Sequence, residues 1–135
     1  MFIKDIKSLK ENNSIEFKKS KGGLPNSLWE SYSAFANTNG GTIVLGIDEP
    51  QKNVFESAKL TEVEVENLQK LFWDTINNSQ KVNKNILVDK DVYVDEYDGY
   101  PILVIKIRRA NRFEKPVYIN NNLYNGTYRR NHEGD

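Results

Sequence analysis

Apolar residues recur every three or four positions in two parts of the chain, which is the spacing of a helix with one buried face. The first apolar stripe contains Leu28, Tyr32 and Phe35, and the second contains Val65, Leu68, Phe72 and Ile76. Ser27 with Glu30 has the spacing of a capping box before the first stripe. Thr61 with Glu64 has the same spacing before the second, so we predict a helix start at each place.

Four other stretches have the patterns of β-strands. Residues 14–19 alternate apolar and polar positions, as a half-buried strand does. Residues 42–47 are almost wholly apolar, and so is the middle of 100–107, which predicts strands covered on both faces. Asp98-Gly99 separates 100–107 from a predicted strand at 86–97, so these two should form a hairpin.

The order of these elements indicates the fold class. A polar connection is predicted for residues 48–59, and a last short extended segment with an asparagine turn for 117–124. The order is therefore strand, helix, strand, helix, hairpin and short strands. It predicts one α+β domain over residues 1–135, with a single mixed β-sheet and two main helices packed on it.

The sequence AFANTNGGTIVLGID at residues 34–48 contains a glycine pair, Gly40-Gly41, before a predicted strand. Phosphate-binding glycine loops run from a strand into a helix, whose N-terminal amides meet the phosphate. Here the order is reversed, so a phosphate would face the C-terminal end of a helix and its unfavourable dipole. We therefore interpret Gly40 and Gly41 as a structural turn and expect no nucleotide cofactor.

The composition excludes several classes of site and protein. The chain has no cysteine and one histidine, His132, so thiolate or histidine metal centres and Ser-His catalysis are not expected. No apolar run approaches the roughly 20 residues of a membrane helix. The N-terminal residues lack the apolar core of a secretory signal, so we expect a cytoplasmic protein with no membrane partner.

The net charge of zero conceals a segregation of charge along the chain. Residues 1–21 carry a net charge of +3, and residues 46–100 carry −6. Residues 101–130 carry +6 and contain all five arginines. A block of one sign indicates an anionic partner, whereas arginines spread over different faces would have no common partner. The sequence leaves both interpretations open.

Three carboxylates lie next to predicted strands. Glu11 and Glu16 flank the first strand, and Asp48 follows the apolar strand at 42–47. Brought together, three carboxylates could hold Mg²⁺ or Mn²⁺ and activate water on a phosphodiester. Their spacing has no specificity of its own, and solvated surface acids are the alternative interpretation.

Basic residues and tyrosines alternate near the end of the chain. Arginine binds phosphate through two parallel hydrogen bonds, and tyrosine offers a face on which an unpaired base can stack. Tyrosines are also common in sheets, so packing is the alternative for Tyr128. Lys18 and Lys19 join this surface if the first strand lies beside the last ones. The candidate nucleic-acid-binding residues are Lys18, Lys19, Arg108, Arg109, Arg112, Lys115, Tyr128, Arg129 and Arg130.

Several of these segments together resemble the Schlafen-like AlbA domain. The resemblance is carried by ENNSIEFK at 11–18, by AFANTNGGTIVLGID, by KPVYI at 115–119 and by GTYRRN at 126–131. It implies nucleic-acid binding and, in bacteria, a regulatory role as the N-terminal module of transcriptional regulators, RecG-like helicase relatives or divergent AAA proteins. Family members continue beyond TYRRNHEGD, so the resemblance also implies that a C-terminal region of the parent protein is missing.

The resemblance bears on the carboxylates as well. Some vertebrate Schlafens are metal-dependent RNases that use two glutamates around the first strand and an aspartate after the central one. Glu11, Glu16 and Asp48 are similar in placement, which implies a catalytic site with Mg²⁺ or Mn²⁺ if this chain is a nuclease. The enzymatic members join two such lobes, whereas this chain has one.

Three functions follow as hypotheses. The first is binding of nucleic acid, DNA rather than RNA, through backbone phosphates at a basic surface. The second is a metal-dependent endoribonuclease acting through the three carboxylates. The third is an assembly domain without nucleic acid, in which the acidic middle of one protomer pairs with the basic end of another in a homodimer.

Overall fold

The computed structural model describes residues 14–130, so the predictions for Glu11 and His132 lie outside the described residues. The helices are α1 (Ser27–Asn37) and α2 (Glu62–Ile76), and a 3-10 turn spans Asp89–Asp91. The strands are β1 (Ile15–Lys18), β2 (Gly41–Leu45), β3 (Ile47–Gln51), β4 (Val54–Ser57), β5 (Val92–Tyr97) and β6 (Tyr100–Ile107). Within residues 14–130, no helix is long and apolar enough to cross a membrane.

A mixed four-stranded sheet forms the centre of the domain. Its strand order is β1-β2-β6-β5, with β1 parallel to β2 and the other neighbours antiparallel. Helix α1 lies between β1 and β2 in the chain, as a parallel pair requires a crossover connection. The predicted α+β class, with a mixed sheet and two helices, is therefore confirmed, and so is the β5–β6 hairpin.

Different elements cover the two faces of this sheet. Helices α1 and α2 cover one face, where Phe35 and Phe72 share a core with Leu103 of β6. The antiparallel pair β3–β4 lies against the other face, where Ile47 packs in a second core with Val104. Because β2 and β6 lie between both layers, their central residues are buried, as the apolar runs predicted.

The β3–β4 hairpin replaces the polar connection predicted for residues 48–59, so that prediction is wrong. Gly46, at φ +109°, bends the chain between β2 and β3, and Asn53, at φ +65°, lies in the turn between β3 and β4. Only alternate side chains of such a hairpin can face the sheet. The Phe55 ring is one of them, with its centroid 4.9 Å from that of Phe17. Most of the outward residues are polar, which conceals the strands in the sequence.

Three further boundaries differ from the sequence predictions. The strand predicted from residue 86 begins only at Val92, after the 3-10 turn. The segment at 117–124 forms isolated bridges instead of a strand. Asn26, not Ser27, occupies the N-cap position of α1, and Ser27 Oγ accepts a hydrogen bond from Lys18 Nζ. The capping box predicted at the start of α2 is present.

The glycine pair forms the structural turn that the sequence predicted. Gly40 has a φ of +75°, and its amide donates to the carbonyl of Phe35 at 2.7 Å. A Cβ at Gly40 would lie 2.6 Å from the carbonyl oxygen of Ile107, and one at Gly41 would lie 2.2 Å from the Phe35 ring. Both positions therefore require glycine, because backbone and ring occupy the space of a side chain.

Candidate nucleic-acid interface

Two polar residues on the buried side of α1 hold the end of the described chain. Asn37 Oδ1 accepts from the amide of Val117, and Asn37 Nδ2 donates to the carbonyls of Val117 and Tyr128, at 2.8 to 2.9 Å. Ser33 Oγ donates to the Val117 carbonyl at 2.7 Å and accepts from the Tyr128 amide at 3.0 Å. The backbone of Val117 and of Tyr128 is therefore held by two side chains of a helix.

A compact turn connects β6 to Val117. Arg108 donates two hydrogen bonds of 2.8 Å to the carboxylate of Glu114. Glu114 also accepts from the amide of Asn111, whose own Oδ1 accepts from the amides of Phe113 and Glu114. The hydrogen bonds from Arg108 are the main cause that lowers the pKa of Glu114 to about 2. We name residues 108–115 the basic turn.

Three cations from the basic turn and the following segment lie near enough for their charges to act on one of them. Burial lowers the pKa of the Lys115 ammonium, and the positive charges of Arg109 and Arg129 lower it further. Like charges produce such a shift only at short range. We name Arg109, Lys115 and Arg129 the basic cluster. In the described part of the chain, none of the three forms an ion pair with a carboxylate.

Three other predicted contact residues have carboxylate partners inside the domain. Arg108 pairs with Glu114 at 2.8 Å. Arg130 pairs with Glu16 at 2.5 Å, and its guanidinium carbon lies 4.4 Å from the centroid of the Phe35 ring. Lys18 lies 3.3 Å from the same carboxylate of Glu16. From the sequence, these three basic side chains were expected to form one surface with the basic cluster. In the structure, carboxylates of the domain compensate their charges.

The remaining candidates lie in different surroundings. Arg112 is exposed in the basic turn, with its guanidinium carbon 4.8 Å from the centroid of the Phe113 ring. Lys19 is exposed just after β1. The Tyr128 ring is partly buried and packs against the helical core, which is the packing alternative considered for it. We therefore build the candidate interface on the basic cluster and Arg112.

The carboxylate of Glu16 is held between β1 and α1. Ser31 Oγ donates to it at 2.5 Å, and Arg130 and Lys18 supply opposite charge. Burial alone would raise the pKa of Glu16. The hydrogen bonds from Ser31 and Arg130, together with the positive charge of Lys18, outweigh burial and lower this pKa. Both carboxylate oxygens are therefore occupied by protein donors.

A second candidate metal ligand, Asp48, lies on a different strand from Glu16. Asp48 is the second residue of β3, directly opposite Glu56. Among residues 14–130, no three His, Cys, Asp or Glu side chains are placed to hold a metal ion together. Glu11 lies outside that range, so the predicted trio of Glu11, Glu16 and Asp48 stays a prediction.

Comparison with known proteins identifies the family. The family model described as Schlafen, AlbA_2 matches residues 11–135. The chain belongs to the Schlafen AlbA_2 family. The resemblance stated from the sequence motifs is therefore confirmed, and it makes a nucleic-acid-related role the broad expectation for this AlbA_2 domain.

A solved structure of a RecG-related protein shares this fold. The solution structure of the N-terminal domain of a RecG-related protein from Nitrosomonas europaea has a TM-score of 0.70 and 23% identity, covering 99% of this chain and 88% of that chain. The DIP2311 protein from Corynebacterium diphtheriae gives 0.48 and 16%, covering 88% of this chain and 23% of that chain. Among curated proteins, none is significantly similar to this chain.

Several residues of this interface were not singled out from the sequence. Ser33 and Asn37 are polar residues on the buried side of α1. Their positions beside the apolar stripe of this helix could have indicated buried hydrogen bonds. Asn111 and Glu114 have the spacing of a capped turn, but only the structure assigns Glu114 to Arg108. Phe113 stands alone between charged residues, which is unusual for a core residue.

Proposed function

We propose that this AlbA_2 domain binds nucleic acid, DNA in the first place, through backbone phosphates at the basic cluster and Arg112. The observation that carries the proposal is the set of Arg109, Lys115 and Arg129, of which both arginines are exposed and none forms an ion pair with a carboxylate among residues 14–130. Burial lowers the pKa of Lys115, and the charges of both arginines lower it further. Cations that repel one another without a carboxylate partner are stabilised by an anion placed between them. A nucleic-acid backbone supplies such anions at regular spacing.

The anchoring of this surface supports the same proposal. The basic turn is closed by the Arg108–Glu114 pair, and the segment carrying Arg129 is fixed to α1 by Ser33 and Asn37. Preorganised cations lose less conformational entropy on binding than cations on free loops. Contacts to phosphates fix the position of the protein on the nucleic-acid backbone and discriminate little between base sequences. We further propose that binding serves the regulation of transcription by the parent protein.

Fluorescence anisotropy with a labelled 20-base-pair DNA duplex, and with one of its strands, tests the proposal. We expect binding that weakens steeply between low and moderate salt. The triple variant R109Q/K115Q/R129Q should reduce the slope of log K against log salt by about 2 to 3, since each lost phosphate contact contributes roughly 0.7 to 0.9.

The matched control removes three exposed lysines elsewhere, K52Q/K70Q/K90Q, and changes the net charge by the same amount. It should keep nearly the wild-type slope. Absence of wild-type binding at low salt would overturn the proposal. Equal effects of the two triple variants would also overturn it, because they would attribute binding to net charge instead of the cluster.

A further inference from the structure

The basic turn presents an aromatic ring to solvent. Phe113 is 77% exposed, far more than the other phenylalanines of residues 14–130, and it lies between Arg112 and Glu114 in a turn that contributes two cations to the basic cluster. Burial of a phenylalanine is strongly favourable, so an exposed ring beside cations offers an apolar face that a partner can cover.

The backbone that carries this ring is held on both sides. The Phe113 amide donates to Asn111 Oδ1 at 2.9 Å, and its carbonyl accepts from Lys84 Nζ at 3.1 Å. The next residue, Glu114, is fixed by the two hydrogen bonds from Arg108. The ring is therefore presented from a closed turn, and little backbone entropy remains to be lost when a partner binds.

One face of the Phe113 ring has a contact within the domain. The guanidinium carbon of Arg112 lies 4.8 Å from the ring centroid, a cation–π contact that covers this face. An apolar wedge that kinks duplex DNA enters between two base pairs and needs both of its faces. A ring with one covered face suits a single unpaired base, which stacks on the open face while its phosphates meet the cations.

We propose that Phe113 is a stacking platform for an unpaired base, so that the domain prefers single-stranded DNA to duplex DNA. This inference rests on the proposed function and adds the substrate class. The stack runs from the Arg112 guanidinium through the Phe113 ring to the base. The basic cluster, on the same turn, holds the backbone phosphates beside that base.

Three fluorescent probes of equal length test the inference on the whole chain: a 15-nucleotide single strand, the blunt duplex of the same sequence, and a strand in which abasic residues replace the nucleosides. Wild-type protein should bind the normal single strand most tightly. F113A should weaken that binding roughly 5- to 150-fold, the range for loss of one aromatic–base stack. On the duplex and on the abasic strand, F113A should change the affinity less than about twofold.

F113W should restore binding of the normal strand, because tryptophan keeps a stacking face. Y100A is the matched control, since Tyr100 is an exposed aromatic residue at the β5–β6 hairpin, and it should behave like wild type. Equal losses for F113A on all three probes, or no loss on any, would overturn the inference while leaving the proposed function intact. Failure of wild-type protein to bind any probe would overturn both.

Discussion

Asn37 and Val117, 80 positions apart in the sequence, exchange two hydrogen bonds of 2.8 Å. The amide side chain thereby supplies a donor and an acceptor to one residue's backbone, as a neighbouring strand would. The same side chain donates to the carbonyl of Tyr128. One helical residue thus joins both chain segments that carry the basic cluster.

Replacing Asn37 by alanine should strongly destabilise the domain. N37A leaves the amide of Val117 and the carbonyl of Tyr128 without these partners, whereas the carbonyl of Val117 keeps the hydrogen bond from Ser33 Oγ. Buried groups without partners cost about 1–3 kcal/mol each, so we expect a loss of about 2 kcal/mol or more in the free energy of unfolding, measured by urea denaturation. The control N125A, in an exposed turn, should change it by less than about 0.5 kcal/mol. Equal values for the two variants would contradict the anchoring role.

Removal of the negative charge at Glu16 should also reduce stability. In E16Q, the Arg130 side chain, which is only 8% exposed, loses its ionised partner. We expect a loss of about 2–3 kcal/mol in urea denaturation at pH 7. E66Q, on the exposed side of α2, is the control and should lie within about 0.5 kcal/mol of wild type. If E16Q were as stable as E66Q, the ion pair would have no structural role.

The Arg108–Glu114 pair should make stability depend on pH below neutrality. The pKa of Glu114 is about 2 in the folded chain, below its ordinary value of 4.5. The stabilisation is therefore complete above about pH 4.5 and is lost as the pH falls toward 2. E114Q should lower Tm at pH 7, and its Tm should then fall less than that of wild type between pH 4.5 and 2. Parallel curves in melts followed by circular dichroism would refute this assignment.

Substitution by alanine should affect stability differently at Gly41 and at Gly22. G41A places a methyl group 2.2 Å from the Phe35 ring, so overpacking should cost about 1–3 kcal/mol. At Gly22 a Cβ meets nothing within 4 Å, so G22A should be neutral or slightly stabilising. Thermal melts of both variants test this difference. If G41A melted at the same temperature as wild type, the Phe35 ring would be able to move aside for the added methyl group.

The elements with strong patterns could be predicted from the sequence, because burial imposes a period on them. The stripe of α1 and the run at 102–105 are examples, and Asp98-Gly99 fixed the hairpin by its turn conformation. The β3–β4 hairpin could not be found in this way, since only one side of it is covered and few of its residues are apolar.

The candidate site could be predicted only as a region of positive charge. Arg108 and Arg109 are adjacent, yet the first pairs with Glu114 and the second lies in the basic cluster. Arg129 and Arg130 differ in the same way, because the partner of Arg130 is Glu16, 114 positions earlier. A count of charges along the sequence contains no information on such distant partners, so it cannot separate the cations that stabilise the fold from those left for a ligand.

The fixing of Tyr128 to α1 has a consequence for the growing polypeptide. A ribosome that has made residues up to 110 has already supplied every strand of the four-stranded sheet and both helices. Two of the three cations of the basic cluster, Lys115 and Arg129, are still to be synthesised, and the segment that carries Arg129 attaches to Ser33 and Asn37 afterwards. A nascent chain can therefore acquire its sheet before its basic cluster is complete.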